Sequence, residues 1–459
     1  MNQNLTIFSI KNSRWITGWM NQFCNSTMIK AANIRKTKGA SVSWLLNVLL
    51  ALPFCNVSIW QFTGSDAHRP CRDTFYRFLS NTSYNWRRLL ASVSGALIEQ
   101  LDRLTGTSND RVLIIDDSPY MRPRSKAVEY LGRQYDHSSS TYYRGFRLLG
   151  AGWSDGHSFV PVEIELLTNA TADKRIGPDP DLDGGTHGGQ RCKQATRKAT
   201  EVALEMIERS QDADLPVDYV VFDSWYGHAR LIGQISEYLP VVCMVKNHPN
   251  YLYRLGKRIY TLQRLYQKVA ARKRSRAEGP IIGSICAEMI GGVKVRVVFV
   301  RDKHNPDKWL ALVSTDLTIT PERICRIYAK RWAIEVFFKQ IKQQLGLVGQ
   351  LQARSYTACV AFASIVCLRY MMLCYYLRQQ ADARTIPGLF YAACQQLQAI
   401  SLQCCLQIII LEIMMILSKA RSPQAFETAC AICGVIEQFS KSIYDNSMTF
   451  KPLTINCES

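Results

Sequence analysis

Three carboxylates that lie far apart along the chain are the residues best suited to chemistry. Asp116 and Asp223 each close a short apolar run, and Glu335 lies in a segment that also carries cations. Carboxylates brought within a few ångströms repel one another and raise the pKa of at least one of them, a conflict that a divalent cation removes. Oxygen-only ligands suit Mg²⁺ or Mn²⁺. Two such ions about 4 Å apart can activate a nucleophile and stabilise the leaving oxygen of a phosphodiester.

These residue types therefore predict metal-assisted phosphoryl transfer on a nucleic acid. Asp116, Asp223 and Glu335 are the expected catalytic groups and the expected ligands of two Mg²⁺ ions, for which Mn²⁺ can substitute. Arg331 and Lys342 could hold phosphates beside Glu335.

The segment at 328–342, which reads YAKRWAIEVFFKQIK, predicts the helix that positions Glu335. At 100° per residue one polar stripe about 80° wide forms. It holds Tyr328, Arg331, Glu335, Lys339 and Lys342, beside an apolar arc of Ile334, Phe337, Phe338, Ile341 and Leu345. Thr320 suits the N-cap, Pro321 the first turn and Gly346 the position after the helix. The ordinary alternative is a solvent-exposed face with a ladder of salt bridges.

Two further acids are placed by predicted strands. Residues 111–117 and 218–223 each read as a strand buried on both faces that ends in an acid. After the first of these strands, the Asp, Ser and Pro residues at 116–119 also suit a simple turn. Residues 146–153 and 158–167 predict two strands joined by a hairpin turn, and Pro161 indicates that the second is an edge strand. Helices follow at 193–210 and up to about residue 238, and a strand at 239–246.

The resulting order is strand, strand, strand, helix, strand, helix, strand, which predicts an α/β fold with a ribonuclease-H-like mixed sheet flanked by helices. We expect a helical N-terminal DNA-binding domain at 1–105, a catalytic domain at 106–350 and a helical C-terminal region at 351–459 that could serve dimerisation. A β-rich insertion at about 247–319, with a basic loop at 271–279, precedes the last catalytic helix. Arginines interleaved with aromatics at 71–101 could grip a phosphate backbone, or could lie over their own domain.

The charge balance points to a polyanionic partner. The net charge is +19, which suits nucleic acid first and an anionic membrane second. Sixteen scattered cysteines and no secretory signal predict reduced thiols in a cytosolic protein. The apolar runs at 357–377 and 402–417 are expected to be buried helices rather than membrane spans, because Arg369 and several polar residues interrupt them. Cys430 and Cys433 suit helix packing better than a metal knuckle.

At the three acids and in the segment 328–342 the chain resembles bacterial insertion-sequence transposases of the DDE class, of the insertion-sequence-four type. That family's Y-R-E-K signature is complete here as Tyr328, Arg331, Glu335 and Lys342. Asp116 within LIIDDS resembles the first acid of the family and Asp223 within VVFDSWYG the second, with Asp117 as the alternative first acid. Residues 145–167 also resemble the second and third strands of the family, and the resemblance covers roughly residues 110 to 345.

The resemblance implies a homodimer that binds the inverted-repeat ends of an insertion sequence, cuts double-stranded DNA and joins it to target DNA. Excision is expected to be cut-and-paste through hairpinned ends, in the bacterial cytoplasm at the nucleoid. Hairpin formation flips a base onto an aromatic side chain. Trp309 in the insertion is the first candidate, although core packing explains it equally well, and Trp225 and Trp332 are weaker candidates.

The family signature also implies DNA contacts by Tyr328, Arg331 and Lys342, and Lys339 lies on the same helical face. Three other classes of protein compete with this interpretation. They are a metal-dependent nuclease on the same fold, a DNA-binding protein that has lost catalysis, and a basic membrane-associated protein.

Overall fold

The computed structural model of the protein describes residues 13–63, 70–106, 109–136, 139–272, 279–302, 305, 308–379, 384–418 and 423–447. The chain divides into two compact units. One comprises Leu90–Lys339 and Arg354–Tyr356, here called the sheet unit. The other comprises Met1–Leu89, Gln340–Ala353 and Thr357–Ser459, here called the helical unit. The three-domain division expected from the sequence stays a prediction.

The sheet unit is built on one large mixed sheet, which within the described residues has eleven strands. The strands are β1 (Val112–Met121), β2 (Gly132–Asp136), β3 (Thr141–Ser154), β4 (Phe159–Leu167), β5 (Tyr219–Phe222), β6 (Val241–Val245), β7 (Leu252–Leu255), β8 (Arg258–Thr261), β9 (Ile281–Met289), β10 (Val293–Arg301) and β11 (Trp309–Ser314). Their spatial order is β2, β3, β1, β5, β6, β11, β10, β9, β7, β8, and β4 pairs with β3.

The strand β1 lies inside this sheet, antiparallel to β3 and parallel to β5. The parallel pairing continues from β5 to β6, so β4, β3, β1, β5 and β6 lie side by side in that order. This arrangement confirms the predicted mixed α/β class and is consistent with a ribonuclease-H-like fold. Parallel strands joined by crossover helices need cover on both faces, which explains why β1 and β5 are apolar throughout their buried parts.

The edge position predicted for β4 from Pro161 is confirmed, since among the described strands β4 pairs only with β3. The register of that pair shifts between Ala151 and Gly152, opposite Pro161. Proline has no N–H to donate, and an edge strand tolerates that loss of a hydrogen bond better than a central strand. The buried Glu163 of β4 is held by Arg209 through two hydrogen bonds of 2.8 and 3.0 Å.

The stretch at 247–319 is rich in strands, as expected. Strand β11 pairs antiparallel with β6, so strands β7 to β11 continue the same sheet. Of the basic loop at 271–279, residues 273–278 lie outside the described residues.

The helices of the sheet unit connect and cover these strands. They are most of α6 (Trp86–Asp102), followed by α7 (His187–Ala195), α8 (Ala199–Asp212), α9 (Ala229–Ser236), α10 (Leu262–Arg272), α11 (Pro321–Ala329) and the first part of α12 (Trp332–Gln343). A single 3-10 turn occupies Ala172–Lys174. The helix expected at 193–210 is in fact two helices. The first begins at His187, before the predicted start, because Thr186 caps it by accepting a hydrogen bond from the Gly189 amide.

The helical unit is described by α1 (Arg14–Phe23), α2 (Ser26–Ala31), α3 (Val42–Ala51), α4 (Ile59–Thr63), α5 (Arg72–Leu79), α13 (Tyr356–Gln379), α14 (Ile386–Ser418) and α15 (Pro423–Ser447). By length and composition α13 could cross a membrane, but its most apolar window is entirely buried in the structure. Arg369 of α13 is also fully buried and donates hydrogen bonds to the carbonyls of Leu49 and Leu345. The cysteines whose side chains the structure describes are free thiols, and most of them are buried.

Candidate active site

The strand β1 delivers two adjacent acids at the point where its buried part ends. Residues Val112 to Ile115 are almost completely inaccessible, whereas Asp116 and Asp117 are partly exposed. Successive side chains of a strand point to opposite faces, so the two carboxylates have different surroundings.

Asp117 is neutralised on its own face. It forms an ion pair with Arg147 of β3, and the Tyr226 hydroxyl donates a hydrogen bond of 3.0 Å to its Oδ2 atom. Burial of Tyr226, together with the negative charge of Asp117, raises the pKa of that phenol. Asp117 thus has two structural partners within the sheet unit, and both contact its Oδ2 atom.

The helix α12 lies against β3 directly beside Asp116. Gly150 of β3 stands opposite Asp116 in the strand register. A Cβ atom at Gly150 would lie 3.1 Å from the ring of Phe338, so the absence of a side chain lets the helix approach the sheet. The apolar arc predicted for this segment is confirmed, because Ile334, Phe337, Phe338, Ile341 and Leu345 are all buried.

This packing brings Glu335 and Asp116 to the same guanidinium group. Nη1 of Arg331 lies 3.0 Å from Oδ2 of Asp116, and Nη2 of the same arginine pairs with Glu335. The guanidinium also lies 5.8 Å from the ring centroid of Tyr328. Three members of the predicted polar stripe, Tyr328, Arg331 and Glu335, therefore meet around one guanidinium, which also contacts Asp116.

The prediction of one continuous helix at 328–342 is wrong, because the helix is interrupted at Lys330 and Arg331, between α11 and α12. The amides of both residues bond to the carbonyl three positions back, which tightens the backbone into a turn. The Lys330 ammonium donates to the backbone carbonyls of Asp110 and Asp155, and these contacts hold the turn in place. The predicted ends are confirmed: Thr320 caps α11 with Pro321 in its first turn, and Gly346 has a positive φ of 78° beyond α12.

Asp223 follows β5 directly, as predicted, and β5 is the parallel neighbour of β1. Its carboxylate accepts a hydrogen bond from the amide of Ser224. Burial is the main reason that the pKa of Asp116 is raised from 3.8 to about 7. Arg331 opposes that rise, whereas the negative charges of Asp117 and Asp223 add to it. Burial therefore disfavours the charged form of Asp116 in spite of its ion pair with Arg331.

The three predicted acids do not form a metal site in this arrangement. Among the described residues no group of three His, Cys, Asp or Glu side chains stands close enough to hold an ion. Their oxygen donors are of the kind that Mg²⁺ and Mn²⁺ prefer. In this arrangement Arg331 is paired with both Asp116 and Glu335, so its guanidinium is the counter-charge of these two carboxylates.

The other predicted DNA-binding residues have varied surroundings. Lys339 is exposed on the last turn of α12 inside the sheet unit, and Lys342 follows on the part of α12 that belongs to the helical unit. Trp309 is stacked on Tyr266 with 4.6 Å between ring centroids, and the edge of Phe299 meets it at 5.3 Å. The weaker candidates Trp225 and Trp332 are 39% and 63% exposed.

Sequence reasoning missed Arg147 and Tyr226, which bind Asp117. No local pattern marks Arg147, because its link to Asp117 depends on the pairing of β1 with β3. Tyr226 stands only three residues after Asp223, so its position next to an acid was the one available signal.

A mixed sheet with acids at the ends of two neighbouring parallel strands, and a third acid on a helix packed beside them, is consistent with a ribonuclease-H-like fold. A family model described as "DDE superfamily endonuclease" matches residues 54–279, which contain Asp116 and Asp223. A second model, described as "Archaeal putative transposase ISC1217", matches residues 187–379, which contain Asp223 and Glu335. The comparison with curated proteins found no match. Both models describe DDE-type transposases and endonucleases, and the two matched ranges together support an enzyme of phosphoryl transfer on DNA.

Proposed function

We propose that this chain is a cut-and-paste transposase of the insertion-sequence-four type. It binds the inverted-repeat ends of its own element as a homodimer, cuts them and transfers them to target DNA. Excision passes through hairpinned DNA ends, and the reaction takes place in the cytoplasm at the bacterial nucleoid. The complete set of Tyr328, Arg331, Glu335 and Lys342, together with both upstream acids, supports this assignment.

Asp116, Asp223 and Glu335 are the proposed catalytic residues. Similarity to the DDE superfamily implies the use of a divalent metal. These three carboxylates are the side chains proposed to hold Mg²⁺, with Mn²⁺ as a substitute, once Arg331 has released Asp116 and Glu335. Asp116 is preferred to Asp117 as the first acid, because Asp117 already has Arg147 and Tyr226 as partners.

Arg331, Tyr328, Lys339 and Lys342 are the proposed contacts to DNA. The observation that best supports the proposal is the position of Arg331, whose guanidinium contacts both Asp116 and Glu335. A cation at that position can also pair with a phosphate, since guanidinium groups bind carboxylate and phosphate in the same bidentate geometry. The net charge of +19 favours a polyanionic substrate of the same kind.

The experiment that tests this function uses the purified chain, Mg²⁺, a labelled duplex carrying one end of the genomic element, and a target plasmid. Transposition requires labelled DNA joined to the plasmid, and the hairpin step requires a species of twice the strand length on a denaturing gel. Cleavage without joined products would instead establish a metal-dependent nuclease on the same fold. Binding without cleavage at any Mg²⁺ or Mn²⁺ concentration would establish a DNA-binding protein that has lost catalysis.

A further inference from the structure

Strand β2 and the first part of β3 form a two-stranded ribbon at one end of the spatial order of strands. The two strands pair antiparallel, so Arg133 lies opposite Arg144 and Tyr135 lies opposite Tyr142. Because side chains alternate between the two faces of a strand, these four residues share one face. All four side chains are exposed, the two tyrosines at 42% and 61%. This set of four side chains is here called the ribbon face.

The backbone beneath the two arginines is held from outside the ribbon. The side-chain amide of Asn169 donates a hydrogen bond of 3.0 Å to the Arg133 carbonyl, and the backbone amide of Arg122 donates one of 2.8 Å to the Arg144 carbonyl. The guanidinium of Arg133 also lies 4.7 Å from the ring centroid of Tyr142, which is a favourable cation–π distance. The ribbon face is therefore positioned before any ligand arrives, which reduces the entropy lost on binding.

The charges of the ribbon face call for an anion. Among the described residues no carboxylate forms an ion pair with Arg133 or Arg144. The acid of the ribbon itself, Asp136, alternates onto the opposite face, where it accepts a hydrogen bond of 2.9 Å from Ser139. Like charges directly opposite each other destabilise an antiparallel pair, and anions bound beside the two guanidiniums remove that repulsion.

Phosphates of a nucleic-acid backbone meet all the requirements of this face. A guanidinium binds phosphate in a bidentate geometry, and tyrosine hydroxyls also donate hydrogen bonds to phosphate and sugar oxygens. A two-stranded ribbon is small enough to lie along a groove of duplex DNA, between the two backbones. Contacts to phosphates position a duplex without reading its bases, so they serve DNA of any sequence.

We infer that the ribbon face binds the backbone of duplex DNA independently of sequence, with Arg133 and Arg144 each contacting one phosphate and Tyr135 and Tyr142 donating to neighbouring backbone oxygens. This inference rests on the proposed function. The joining step needs such a surface, because the target duplex does not share the sequence of the element ends.

The test measures the affinity of the full chain, in EDTA, for two fluorescein-labelled duplexes at a series of KCl concentrations. One duplex carries the element end and the other an unrelated sequence. Each lost phosphate contact lowers the slope of log affinity against log salt by about 0.9, which is about 8-fold in affinity at about 0.1 M salt. The double variant Arg133→Gln with Arg144→Gln should therefore bind both duplexes about 60-fold more weakly, with a slope reduced by about 1.8. The double variant Arg133→Lys with Arg144→Lys keeps both charges and should keep the parental slope and most of the affinity.

The matched control is the double variant Arg103→Gln with Arg197→Gln. It removes the same number of charges from exposed arginines of the sheet unit, but these arginines are already paired with Glu99 and Glu205. Its affinity for both duplexes should equal that of the parent.

The inference is overturned if the glutamine variant of the ribbon face binds the unrelated duplex as the parent does, or if its loss is confined to the element end. It is also overturned if the lysine variant is as weak as the glutamine variant. Binding in EDTA does not require cleavage, so these results are separable from a failure of the proposed transposition. A chain that binds unrelated duplex through the ribbon face but joins no ends would refute the proposed function alone.

Discussion

Replacing Asp116 with asparagine is expected to stabilise the folded protein. Asp116 is only 16% exposed, and burial raises its pKa from 3.8 to about 7. Between these two values the folded chain holds a proton on Asp116 that the unfolded chain has released, so stability falls as the pH rises through that window. An asparagine amide does not titrate in this range, so the Asp116→Asn variant does not lose stability in this way as the pH rises.

The size of the effect follows from the pKa change. Each tenfold change in proton affinity is worth about 1.36 kcal/mol, so a rise from 3.8 to about 7 amounts to about 4 kcal/mol. The stability difference between Asp116→Asn and the parent should be near zero at about pH 4 and should level off at about 4 kcal/mol above about pH 7.

The assay is thermal unfolding followed by circular dichroism in EDTA, at a series of pH values, for the parent and the variant. Taking the difference between the two cancels the other titrating groups. The matched control is Asp117→Asn, which should destabilise the protein by about 1–3 kcal/mol because Arg147 and Tyr226 lose their charged acceptor. The reasoning is refuted if Asp116→Asn is no more stable than the parent at about pH 8, or if the difference does not change with pH.

Two further substitutions test how the site and the helical unit are supported. Gly227→Ala should lower the free energy of unfolding by about 1–3 kcal/mol and displace the loop that carries Trp225, because the new Cβ atom would meet the Met244 carbonyl oxygen. An unchanged melting temperature would contradict this expectation. Arg369→Met should lower the free energy of unfolding by about 2–4 kcal/mol, because the buried carbonyls of Leu49 and Leu345 lose their hydrogen-bond donor. Urea unfolding measures that loss, and an equally stable variant would contradict the expectation.

Much of the fold could be predicted because its signals are local. The apolar runs before Asp116 and Asp223 identify buried strands, and the spacing of the apolar residues around Glu335 identifies the helix face that packs on β3. Thr320 and Pro321 marked the start of α11 for the same reason: capping depends on a few consecutive residues.

What could not be predicted depends on residues far apart in the chain. The turn at Lys330 is anchored on carbonyls of Asp110 and Asp155, and no helical periodicity encodes those contacts. The ion pair of Asp117 with Arg147 likewise exists only because β1 and β3 pair in one register. The sequence suggested that three acids converge on metal, but it could not show that Arg331 would pair with two of them.

The most direct test of the account is the rate of cleavage of the labelled element end under single-turnover conditions with Mg²⁺. Asp116→Asn, Asp223→Asn and Glu335→Gln should each lower that rate by at least about 100-fold while leaving DNA affinity largely intact. Asp212→Asn, which alters an exposed acid at the end of α8, is the control and should cut at the parental rate. Parental cleavage by any one of the three variants would contradict the claim that these acids form a single catalytic centre.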